Sequence, residues 1–161
     1  MNSVTPLRSG DKNKIQTRQF STFYVGDRWY GIDVTEVQEI AKPLPITPIH
    51  LAPVHVIGLI NLRGQIATAI GLRELFGMEK ENESEKMSVV CKCDGALLSL
   101  LVDRIGDVIE VSDSTFELTP ETIGVATRRF MKGVYKTPEA ILSVIEINQI
   151  TQFLSQQQKV S

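Results

Sequence analysis

The sequence lacks any run of about eighteen apolar residues, so no helical membrane span is expected. Residues 1–16 are polar and have no apolar stretch of the kind a secretory leader needs; they are expected to fray. Charge of one sign is also lacking. Lys and Arg number 17 against 19 Asp and Glu, a net charge of −2, which offers no basic field to nucleic acid. The one basic–aromatic cluster, Arg128-Arg129-Phe130, is expected on a solvated strand edge. Cysteine is scarce. Cys91 and Cys93 lack the C-x-x-C spacing of redox or zinc motifs and are expected as free thiols on opposite faces of one strand. Free thiols suit a reducing compartment, and the expected location is the cytoplasm. Histidine is equally scarce. His50 and His55 fall in a proline-rich stretch without nearby cysteine or carboxylate, so both are expected to face solvent and no metal is expected. Neither a G-x-S-x-G elbow nor a phosphate-cradling glycine loop occurs, and Ser99 has no base beside it. No catalytic residue, no cofactor and no enzymatic activity are expected.

What the sequence does have is short alternating segments. A chain of 161 residues that is 42% hydrophobic and 22% charged can bury about 70% of its unfolded surface without staples. Gln19–Val25 and Trp29–Val34 alternate around Gly26-Asp27-Arg28 and predict a hairpin. Val37–Ala41 predicts a third strand. Residues 42–56 carry Pro43, Pro45, Pro48 and Pro53, which rules out a central strand and predicts an extended connection. Ile57–Leu62 and Gln65–Ile70 are the next strands, followed by helical turns closed by Gly77. The charged stretch 78–86 predicts a solvent loop and a subdomain break. Met87–Cys93 and Ala96–Val102 flank Asp94-Gly95, a strong hairpin signal. Ala96–Val102 is nearly all apolar, as befits a strand buried on both faces. Further strands are expected at 103–111, 130–135 and 140–145. Residues 146–156 have helical spacing of Ile147, Ile150, Phe153 and Leu154. The expectation is an all-β fold of nine or ten strands in two packed five-stranded barrels, forming one domain over 17–156 with a short C-terminal helix, and a tail at 157–161.

Polar residues set into apolar strands are the candidate functional feature. Glu39 interrupts Val37–Ile40, and Arg63 follows an apolar run bracketed by Gly58 and Gly64. Isolated strand glycines mark bulges or close backbone approach. Arg63 can reach a carboxylate, and Glu39 is the expected partner. Two meanings stay open: an ion pair that fixes one barrel's geometry, or one that shapes a docking surface.

Five blocks then stand in register: Tyr30-Gly31-Ile32-Asp33-Val34 with Val37-Gln38-Glu39-Ile40, Gly58 with Asn61-Leu62-Arg63-Gly64, Leu72-Arg73, Val102-Asp103-Arg104-Ile105, and Asp107-Val108. Their order and spacing resemble the CheW-like domain of bacterial chemotaxis coupling proteins over about residues 18–155. The sequence departs from that pattern at Thr68, Gly71 and Glu146. The resemblance implies two intertwined SH3-like five-stranded barrels around an apolar seam. It implies a scaffold that joins the regulatory domain of a CheA-type histidine kinase to chemoreceptor cytoplasmic helices. An inter-barrel groove for a receptor helix would then take Val37, Ile57 and Leu62 as its apolar wall. Glu39, Asn61 and Arg63 would form its rim, with Gly58 admitting close approach and Gly64 beside the arginine. The alternatives are an adaptor of another receptor–kinase array, such as one for surface motility, or a small ligand-binding β-barrel.

Overall fold

A computed structural model describes residues 16–79 and 85–160; the expected fraying of 1–15 and the centre of the charged loop lie outside them. The first hairpin is β1 (Thr17–Val25) and β2 (Arg28–Asp33), turning at Gly26 with φ +63°. Asp33 then caps a 3-10 turn over Val34–Glu36 by accepting from Thr35 N at 2.9 Å, so Val34 leaves the strand it was expected to continue. β3 (Val37–Ala41) follows. After the proline-rich connection come β4 (Val56–Leu62), β5 (Gln65–Gly71) and the helical turn α1 (Leu72–Leu75). The second half of the chain gives β6 (Met87–Cys93), β7 (Ala96–Val102), β8 (Arg104–Ser112), β9 (Phe116–Glu117), α2 (Val125–Arg128), β10 (Met131–Lys136), β11 (Ile141–Ile145) and α3 (Ile147–Val160).

These strands make two sheets, ordered β8-β1-β2-β11-β10-β9 and β3-β6-β7-β5-β4. Each sheet is an SH3-like barrel. The first counts six strands because β9, two residues long, escapes any reading by alternation. The compositional break near residue 80 does not separate the sheets. Both draw strands from either side of it, through the parallel pairs β2–β11 and β5–β7. The barrels are therefore intertwined.

Four apolar clusters make up the core, the smallest being Ile123, Met131 and Val134. Phe23, Tyr30 and Ile32 of the first sheet meet Val89, Leu98 and Leu100 of the second in the seam between barrels. Ile147 and Ile150 of α3 close it. Burial in the seam pushes the Tyr30 hydroxyl up to about 12. Phe20, Tyr135, Leu142 and Val144 fill the first barrel. Ile60, Ala69 and Leu101 line the second, covered by Leu44, Ile46 and Ile57. β7 explains its own composition: Leu98, Leu100 and Val102 face the seam while Leu101 faces the barrel interior.

Three expectations need correction. Residues two apart on a strand share a face, and both Cys91 and Cys93 pack on the seam; the thiols are nonetheless free. Arg128 and Arg129 lie at the end of α2, where the Arg129 guanidinium sits 4.4 Å from the Phe153 ring centroid. The C-terminal helix runs to Val160, beyond the expected end at residue 156, because the polar residues Gln156–Lys159 still favour helix.

Candidate functional site

Asn61-Leu62-Arg63-Gly64 is a hairpin. Leu62 pairs with Gln65, leaving Arg63 and Gly64 as a two-residue loop with φ of +53° and +88°. Positive φ at both positions is the type I′ geometry that matches the right-handed twist of the flanking strands. Gly64 accepts this freely. Arg63 does so against its Cβ, at a cost of about 1–2 kcal/mol. The Asn61 side chain holds the loop, its Oδ1 accepting from Gly64 N at 2.9 Å. The outcome is a charged side chain, 81% exposed, held outward by backbone geometry and not by packing. The sequence contained this signal, since an X-Gly pair between alternating segments is the rule that found Asp94-Gly95, where φ is +51° and +81°.

Glu39 stands on β3, and β3 and β4 are the two opposite edges of the second sheet. Yet Arg63 Nη1 lies 3.4 Å from Glu39 Oε1. The sheet therefore curls until its edges meet, and this pair spans the gap. Register places Glu39 opposite Val90 and so on the row of side chains facing the barrel interior. Its carboxylate is 22% exposed and emerges at the rim. A pair with so exposed a cation contributes at most about 1 kcal/mol to stability.

The remaining candidates divide. Ile57 is half-buried against the second barrel's interior, and Val37 is half-buried against the seam. Leu62 is buried at 6% exposure and supports the hairpin from beneath. Gly58 is the clearest revision. A Cβ there would collide with the carbonyl oxygen of Thr47 and the Ile46 side chain. Thr47 and Leu59 exchange backbone hydrogen bonds, each 2.8 Å, so the close approach at Gly58 belongs to the chain's own proline-rich connection. His55 also departs from expectation. It is 6% exposed, its ring packs 5.3 Å from Phe153, and burial lowers its pKa; His50 remains exposed.

Sequence reasoning missed a polar node at the junction of the barrels. Asp103, between β7 and β8, accepts from Gly26 N at 2.6 Å, Arg73 Nη2 at 2.8 Å and Lys86 Nζ at 2.6 Å. Burial alone would raise this carboxyl. The hydrogen bonds from Arg73, Lys86 and Gly26 outweigh it and hold the pKa at about 2. Leu72-Arg73 and Val102-Asp103 were both visible as blocks, but their pairing across 30 residues was not. Among the described residues no three His, Cys, Asp or Glu gather as a metal site would need, and no helix is long and apolar enough to cross a membrane.

Comparison with known proteins settles what this arrangement is related to. The profile of the CheW-like domain matches residues 19–154. The chain belongs to the CheW-like domain family. A chemotaxis protein CheW of Treponema pallidum is 31% identical over 137 residues, covering 82% of this chain and 81% of that one. The chemotaxis protein CheW of Rhizobium meliloti is 28% identical over 134 residues, covering 83% and 86%. Among solved structures, the scaffolding protein TtCheW from Thermoanaerobacter tengcongensis superposes with a TM-score of 0.74 at 29% identity, covering 81% of this chain and 89% of that one. In this CheW-like domain the two barrels, the seam and the terminal helix stand where the resemblance implied.

Proposed function

We propose that this chain is a non-catalytic scaffold of the chemotaxis machinery, coupling chemoreceptor cytoplasmic helices to the regulatory domain of a CheA-type histidine kinase in the cytoplasm. Membership of the CheW-like family and relatives named as chemotaxis proteins support the pathway. The observation that carries the reading within this chain is Arg63. A left-handed arginine, 81% exposed and worth little to stability, stands where glycine or asparagine would cost less. Such a residue is best explained by what it offers a partner. With Glu39 beside it at the rim, Arg63 and the exposed Asn61 offer a polar edge suited to an amphipathic helix.

The test is co-purification of the folded protein with a receptor cytoplasmic fragment and, separately, with a kinase regulatory domain. Wild type should retain both. Arg63→Ala should lose at least one by about ten-fold in affinity, with its melting temperature unchanged. Undiminished capture of both partners by Arg63→Ala would overturn the assignment of this residue; failure of wild type to capture either would overturn the function.

A further inference from the structure

Two rows on the inner face of the second barrel are rich in small side chains. Directly paired residues share a face, so register defines these rows. One runs Glu39, Val90, Ser99, Ala69, Gly58, and the next runs Ala41, Ser88, Leu101, Gly71. In these two rows the bulk comes from Glu39, Val90 and Leu101, and Ile60 stands in the row beyond. Protein interiors ordinarily fill to the density of organic crystals. Here Leu44, Ile46 and Ile57 cover the face from outside and leave a cavity of about 320 Å3 against Leu101 and Ser88.

Ser88 is the informative residue. It is fully buried, it lines the cavity, and its hydroxyl has no hydrogen-bond partner among the described residues. A buried hydroxyl left unpaired costs about 1–3 kcal/mol. Alanine would fill the same position without that cost. Ser99, one row away, is buried and unpartnered in the same manner. Among the charged groups at the boundary, Arg73 and Lys86 both bond to Asp103, and Glu74 adds a carboxylate that disfavours an anionic occupant.

We propose that this cavity binds a small neutral molecule, mainly apolar, whose single hydrogen-bonding group is received by the Ser88 hydroxyl. The volume is about twice that of a benzene-sized cavity, which suits about ten non-hydrogen atoms. The site is separate from the Arg63 hairpin and gives the scaffold a means of responding to a metabolite.

Indole, an apolar ring system with one N–H donor, is the probe. Titrated into the full-length, isotopically labelled protein, it should move the amide resonances of Gly71, Ser88 and Leu101 saturably. Ser88→Ala should bind indole about five-fold more weakly, the loss of one hydrogen bond. It should melt no lower than wild type, because it removes an unpaired group. Leu44→Phe, which fills the cavity, should fold and lose the indole response. Shifts that do not saturate or that scatter over the surface would overturn the site. Equal affinity of wild type and Ser88→Ala would overturn the role of Ser88, and undiminished binding by folded Leu44→Phe would place the probe elsewhere.

Discussion

Asp103 Oδ2 lies 2.8 Å from Arg73 Nη2, and the two side chains are only 12% and 16% exposed. The carboxylate also holds the β1–β2 turn through Gly26 and the residue before β6 through Lys86. One side chain thus ties the first barrel to the second. Replacing it with asparagine leaves the Arg73 and Lys86 cations without their shared carboxylate. Asp103→Asn should lose about 3 kcal/mol in urea unfolding, far more than any charge change at the exposed pair Lys136–Glu117.

The same carboxylate sets an acid limit. Its folded pKa is about 2, below the ordinary 3.8. A depressed carboxyl contributes stability that is fully present above the unfolded pKa and is lost as pH falls through the folded one. Stability should therefore decline between about pH 4 and pH 2. Asp103→Asn should show a visibly shallower decline over that window when unfolding is followed at several pH values.

Arg63→Gly separates the two meanings of the Glu39–Arg63 pair. Glycine relieves the left-handed strain, and the exposed pair is worth little, so stability should stay within about 1 kcal/mol of wild type or rise. Partner capture should fall. A loss above about 2 kcal/mol in the melt would show that the pair mainly holds the barrel closed.

Gly58→Ala should destabilise by about 2 kcal/mol or more, since the new methyl meets Thr47 backbone and not the flexible end of a side chain. Gly64→Ala meets nothing, so its loss should be only the backbone cost of φ +88°, about 1 kcal/mol. Thermal melts of the two variants side by side test whether the glycines serve these different purposes.

The strands of this protein are legible because each sheet buries one or both faces and writes a period of two, or an unbroken apolar run, into the chain. Ala96–Val102 is the example of the second kind. What was not legible is what depends on distant partners. Gly58 announces a close approach, but only the fold shows that Thr47 makes it. Arg73 and Asp103 are individually ordinary. Arg63 conceals a left-handed turn because arginine is an uncommon residue there, and β9 survives on two residue pairs with β10 that no local pattern supports. His55 was misjudged because its burial comes from α3, almost a hundred residues later in the chain.

The crossing of strands between sheets has a consequence for how the protein is made. β1, β2, β3, β4 and β5 precede residue 80, yet neither sheet is complete without strands that follow it. A nascent chain that has emerged only that far holds the edges of two unfinished barrels, with β2 awaiting β11 and β5 awaiting β7. The second barrel, β3 to β7, has all its strands once residue 102 has emerged, whereas the first waits for β11 at Ile141–Ile145. The first barrel must therefore close last, around a second barrel already supplied with its strands, paced by the long-range pairing of β2 with β11.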